Sequence, residues 1–211
     1  MRGWLKLLFW AVAIGGGVFL VLYETLFDVW RIPVDDPVLS ASIEPTLTAG
    51  DLIVLSRHGT PGRSELLRCP DPEAPGRYVI ARAIARSGEN LALDGEIATV
   101  DEHRTPSPHA CESPTKTMFD PSRNEDIDLT CSIEDYAGTE FTVLRSAAHP
   151  VPPMHVTVQP GLWFLLSDNR HLHLDSRDYG QLDTSNCKHI VFRIVGVRGI
   201  SDSRSRLSII W

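Results

Sequence analysis

The most constraining stretch of this 211-residue chain is an unbroken apolar run near its start. No residue from Leu7 to Tyr23 carries a charge (LLFWAVAIGGGVFLVLY), whereas Arg2 and Lys6 precede the run and Glu24 and Asp28 follow it. At about 1.5 Å per residue such a run extends about 26 Å, near the minimum for a bilayer crossing. Trp4 and Tyr23 suit the two interfaces, and basic residues before with acidic residues after predict a cytoplasmic N-terminus and an exported remainder. A cleaved leader shares this pattern, but the sequence after Tyr23 (ETLFDVWRIPV) is bulky and offers no small-x-small cleavage site, so an uncleaved single-pass anchor is expected. The expected localisation is the cytoplasmic membrane, with residues 1–6 inside, 7–23 as a transmembrane helix and the folded part outside.

Beyond the anchor the chain reads as mainly β. Short runs rich in β-branched and aromatic residues (51–55, 78–85, 91–100, 140–144, 154–158, 162–166 and 189–197) alternate with Gly, Pro, Asp and Asn clusters. No segment after Val29 keeps a helical period. Residues 102–151 are polar and rich in Pro and Ser, and read as a subdomain inserted between a first core part, 24–101, and a second, 152–211. Twenty basic against 27 acidic side chains leave a net charge of −7, which repels phosphate backbones and excludes a general nucleic-acid binder. Cys69, Cys111, Cys131 and Cys187 follow no zinc-finger spacing. In an exported domain at least one disulfide is plausible, and Cys111 with Cys131 would close a short loop; four reduced thiols are the alternative.

Two motifs flank the inserted stretch. The first is Ser40-Ala41-Ser42-Ile43-Glu44-Pro45-Thr46-Leu47, with Gly50-Asp51 and an apolar strand after it. Pro45 fixes its own φ and biases Glu44 toward extended backbone, so a rigid turn presenting a serine hydroxyl close to the bilayer is expected. The second follows the strand ending at Leu166 and reads Ser167-Asp168-Asn169-Arg170-His171-Leu172-His173-Leu174-Asp175-Ser176-Arg177-Asp178-Tyr179-Gly180.

Taken with the anchor, these motifs resemble the type I signal peptidases, membrane-bound serine proteases that cut signal peptides from exported precursors. That family carries Ser-x-Ser-Met-x-Pro-Thr after its anchor, and Gly-Asp-Asn-Arg with Asp-Ser-Arg-x-x-Gly near its end. The resemblance implies an antiparallel β fold with an inserted β subdomain and one N-terminal transmembrane helix. It further implies exported precursors and the lipid bilayer as partners, and neither cofactor nor metal. Carried over by position, Ser42 is the nucleophile, and the Ser42 backbone N–H with the Ser40 hydroxyl holds the oxyanion. Asp168, Asn169 and the Asp175–Arg177 ion pair support the site.

One departure dominates. The family's general base is a lysine in a strand reading Tyr-Ile-Lys-Arg, and the corresponding residues here are Tyr78-Val79-Ile80-Ala81-Arg82, with Ala81 at the lysine position. Lys6, Lys116 and Lys188 all lie elsewhere in the sequence. Arg82 is no substitute, because a guanidinium stays protonated and has no acceptor for the serine proton. Where relatives place a serine against the lysine amine, this chain has His173. An imidazole, with an ordinary pKa of about 6.5, is suited to proton abstraction at neutral pH. In an extended segment His171, His173 and Asp175 project to one face, which predicts a Ser42/His173/Asp175 relay. The alternatives are solvated loop histidines on a catalytically inactive relative that binds signal peptides or a membrane partner, or a zinc site at His171-x-His173-x-Asp175. Against zinc, Ser176 rather than a further His follows Asp175, and His189 is the one His downstream. Ile43 and Ser167 replace a family methionine and glycine.

Overall fold

A computed structural model describes residues 2–104, 109–120, 122–146, 148, 152–202 and 205–210, without the side chains of 2, 3, 5–8, 11, 19, 20, 22, 23 and 110. The expected anchor limits Leu7 and Tyr23 are therefore described in backbone only, and the insertion limit Val151 lies outside the described residues. The chain opens with α1 (Arg2–Leu26), a 25-residue helix on which Phe9, Trp10, Val12, Ile14, Val18 and Val21 are exposed. Among the described residues, no helix is long and apolar enough to cross a membrane.

The remainder is antiparallel β. β1 (Phe27–Arg31) leaves α1 directly and pairs with β2 (Leu52–Ser56), with the short helix α2 (Pro37–Ser42) between them. β3 (Leu66–Pro70) and β4 (Tyr78–Arg86) form a hairpin. A second hairpin, β5 (Asn90–Asp94) and β6 (Ile97–Val100), ends at the two-residue strand β7 (His103–Arg104). The inserted sheet consists of β8 (His109–Asp120), β9 (Glu125–Tyr136) and β10 (Thr139–Arg145). β11 (Met154–Thr157), β12 (Trp163–Leu166), α3 (Ser176–Tyr179), β13 (Lys188–Val195) and β14 (Ser208–Ile209) complete the chain. The principal sheet runs β1-β2-β13-β3-β4-β12 with β14 on β13, and a second sheet runs β11-β5-β6-β7.

The mainly β expectation holds, with a separate three-stranded sheet over β8–β10 and one correction. The single run expected over 91–100 is two strands, because Gly95 and Glu96 both take positive φ and form a two-residue turn between Asp94 and Ile97. Left-handed backbone at Glu96 is unusual for a residue with a Cβ, and its buried carboxylate is used, accepting from Ser146 N at 3.2 Å.

β4 is buried from Val79 to Ala85 and divides two cores. Ile80 packs with Leu39, Ile43 and Leu55 on one side; Val79, Ala81 and Ala83 pack with Leu67 and Leu165 on the other. A third cluster joins Ile84 to Phe141 and Val143 of β10 and Phe164 of β12, so the inserted sheet shares its apolar core with the main body. Both disulfides form. Cys111–Cys131 lies within the inserted sheet, as expected, and Cys69–Cys187 ties β3 to the approach of β13.

Candidate active site

Ser40 and Ser42 lie on the short helix α2, which the sequence did not suggest, and the expected turn follows it at 43–46. Asp36 caps α2 by accepting from Leu39 N at 3.0 Å, and Pro37 occupies the first turn, where its missing N–H costs nothing. The helix then turns both serine hydroxyls back onto its own carbonyls. Ser40 Oγ donates to Asp36 O at 2.6 Å, and Ser42 Oγ, fully buried, donates to Leu39 O at 2.9 Å. The Glu44–Pro45 peptide that follows is cis.

The second motif clamps this turn. Asn169 N donates to Ser42 O at 3.1 Å and its Nδ2 donates to Ala41 O at 3.0 Å. Asp168, also buried, accepts two bonds from Arg82 (Nε at 2.9 Å, Nη2 at 2.8 Å) and one from Thr46 Oγ1 at 2.5 Å. Arg82 thus has a structural task the sequence did not reveal: a bidentate buried pair that fastens the serine turn to β4.

His173 meets an acid, but not the expected one. Its Nδ1 lies 2.8 Å from Asp178 Oδ2. Because a carboxylate only accepts, Nδ1 carries the proton, and Nε2, which makes no hydrogen bond to the described residues, keeps its lone pair in the neutral ring. Asp175 is committed elsewhere. Arg177 grips it through Nε at 2.9 Å and Nη2 at 2.7 Å, and Ser167 N donates to it at 2.8 Å. Burial alone would raise this carboxyl, but the Arg177 charge and hydrogen bonds hold it down at about 2. Asp175 is therefore not the acid bonded to His173, as the expected relay required; Asp178 is. Residues 169–175 bend instead of extending, because Asn169 Oδ1 accepts from both His171 N (3.2 Å) and Leu172 N (2.9 Å), and this separates His171 from His173. Asp178 is the N3 residue of α3 and also accepts from Asp175 N at 2.9 Å, which positions it for His173.

His171 turns toward Glu96, 3.6 Å from its Nδ1. Among the described residues, the side chains close enough to share a metal ion are His173, Asp175 and Asp178, so the sequence pattern 171/173/175 does not converge, and both Asp175 oxygens already accept from Arg177.

His173 and Ala41, the residue preceding Ser42, line one cavity of about 190 Å³ with Val38, Asp120, Ser122, His171 and Leu172. In this conformation the Ser42 hydroxyl donates to Leu39 O and not to His173. Ala81 sits in an apolar cluster against which Leu174 and Tyr179 pack. Burial, then the charges of Asp175 and Asp178, raise the Tyr179 hydroxyl well above the usual phenol range, so it stays neutral.

The chain matches the family model for signal peptidases of the peptidase S26 type over residues 1–195. It belongs to the signal peptidase S26 family. No curated protein matches it. This is a family of serine endopeptidases, so a serine carried on a turn held by Asp168 and Asn169 is the place where its chemistry is sought. Ala81, which stands where the sequence motif leads one to expect a lysine, has apolar surroundings.

Proposed function

We propose that this S26 protein is a single-pass protein of the cytoplasmic membrane whose exported domain removes signal peptides from precursors with a Ser42–His173 dyad oriented by Asp178. The observation that carries the mechanism is the 2.8 Å bond from His173 Nδ1 to Asp178, which leaves Nε2 as the acceptor on a ring sharing a cavity with Ala41. Once Ser42 Oγ leaves Leu39 O, it attacks the scissile carbonyl while His173 Nε2 takes its proton. The Ser42 backbone N–H and the Ser40 hydroxyl, once it turns from Asp36 O, stabilise the oxyanion, worth roughly 3 kcal/mol per donor. The imidazolium returns the proton to the leaving amine, and water, deprotonated by the same ring, hydrolyses the ester and frees Ser42. No cofactor is required. The membrane reading is supported by the charge-free run 7–23 and by the apolar side chains exposed along α1, and two disulfides suit an oxidising compartment.

A non-catalytic relative that holds signal peptides is favoured by one observation, the fully buried Ser42 hydroxyl spent on its own helix. Purified full-length chain in detergent, given a precursor with a small-x-small cleavage site, separates the two. Cleavage lost in both Ser42→Ala and His173→Ala supports the dyad. A silent parent that gains cleavage with Ala81→Lys identifies a decayed peptidase.

A further inference from the structure

The junction of β13 and β3, inside the principal sheet, carries a surplus of positive charge. Arg68 of β3 is 6% exposed, and its Nε has no hydrogen-bond partner among the described residues. The guanidinium lies over two aromatic rings, 4.8 Å from the Trp30 centroid and 4.2 Å from that of Tyr78. Burial lowers its pKa, yet an arginine remains a cation. Lys188 stands opposite Arg68 in the β13–β3 pair, so two cations share one side of the sheet, an arrangement that repels. The acid in electrostatic reach, Asp28, is already divided between Lys188 Nζ at 2.7 Å and Arg57 Nη2 at 3.9 Å. Three cations therefore face one carboxylate. The Trp30 and Tyr78 rings also line a cavity of about 660 Å³, where Asp35 is present and Asp36 is taken up by Arg77 at 2.7 Å.

The position of this cluster identifies what can supply the missing negative charge. Arg57 N donates to the carbonyl of Leu26, the last residue of α1, at 2.9 Å, and Asp28 and Trp30 follow within the next turn of chain. If α1 is the anchor, the cluster lies at headgroup depth, where tryptophan and tyrosine concentrate and each nearby Lys or Arg favours anionic lipid. The chain as a whole, at −7, is repelled by such a surface, so attraction must come from a local site. We propose that Arg68, Lys188 and Arg57 bind the phosphate of an anionic phospholipid headgroup, with Trp30 and Tyr78 as its apolar walls. A guanidinium fork matches phosphate oxygens. The site rests on the membrane reading above but not on peptidase activity.

Native mass spectrometry of the full chain in detergent, with phosphatidylglycerol, phosphatidylcholine or inorganic phosphate added, tests the proposal. Phosphatidylglycerol should be held about tenfold more tightly by the parent than by Arg68→Gln or Lys188→Gln, and equally by parent and the exposed-site control Arg198→Gln. Lys188 is partly exposed, so its variant keeps the test open if Arg68→Gln does not fold, as judged by circular dichroism. Equal retention by parent and both variants overturns the site. Phosphatidylcholine held as tightly, or inorganic phosphate bound through Arg68 while lipid is not, overturns the anionic-lipid assignment. Carbonate extraction of membranes tests the anchor separately: a chain that washes off yet binds phosphatidylglycerol through Arg68 loses the anchor and keeps the site.

Discussion

Lys116 Nζ lies 2.6 Å from Glu44 Oε2, which ties the inserted sheet to the residue two places beyond Ser42. The two are 72 residues apart in sequence. Side chains two apart on a strand share a face, and along β8 the series continues: Met118 Sδ is 3.6 Å from Asn169 Nδ2, and Asp120 lines the cavity with Ala41. One face of β8 therefore runs across the segment that buries Ser42. The Lys116 and Glu44 side chains are 40% and 14% exposed, so the pair contributes under about 1 kcal/mol. Lys116→Met is expected to speed amide exchange over residues 41–47 by up to about fivefold, and added salt should bring the parent toward the variant. Hydrogen-exchange mass spectrometry measures this without requiring turnover; unchanged protection in the variant would remove β8 as the cover of the Ser42 segment.

The two acids near His173 should behave as different kinds of residue. Asp178 holds the ring's Nδ1–H, so Asp178→Asn should reduce kcat by about 10²- to 10⁴-fold while costing little more than a helix cap, about 1 kcal/mol. Asp175→Asn strands Arg177, whose side chain is 5% exposed, and should lower stability by about 3–5 kcal/mol, with any loss of rate following unfolding. Steady-state kinetics beside urea melts separate the two. Equal kinetic losses at matched stability would return the relay to Asp175.

These assignments mark where sequence reasoning reaches its limit. The β character, the inserted sheet and the Cys111–Cys131 bridge were legible because each depends on local alternation, turn residues or a short loop. Ser42, Asp168 and Asn169 were legible through family motifs. Asp178 was missed because Asn169 folds residues 171–175 into bends, so the alternation assumed for an extended segment fails there. Lys116 was set aside on sequence distance alone, and no local pattern reports that β8 crosses the serine turn. Nothing local marks Arg82 as the buried partner of Asp168, because the two are 86 residues apart.

That pairing makes Asp168 the residue whose loss the fold should tolerate least. Both side chains are inaccessible, and Arg82 Nη1 additionally donates to Ser64 O at 2.5 Å while its guanidinium lies 4.2 Å from the Phe141 ring. Removing the carboxylate leaves a cation buried between α2, β4 and β10, a loss of about 3–5 kcal/mol. Asp168→Ala should therefore lower the thermal midpoint sharply, whereas Thr46→Val, which deletes a single hydroxyl donor to the same carboxylate, should cost about 1 kcal/mol. Similar midpoints for the two variants would mean that the ion pair does not organise the turn.

The depressed carboxyl of Asp175 gives stability a defined acid limb. Its pKa is about 2 in the folded protein against 3.8 in its ordinary state, so the unfolded chain binds the proton more readily. The folded state gains where the group is ionised in both states, above about pH 4, and that gain disappears as pH falls through about 2. A difference of nearly two units corresponds to about 2 kcal/mol. Urea midpoints for parent and Asp175→Asn, taken at intervals from pH 6 to pH 2, should converge by about that amount over the lower half of the range. A constant residual separation, from stranding Arg177, should persist throughout. Curves that stay parallel down to pH 2 would mean that Arg177 does not hold this carboxyl in its ionised form.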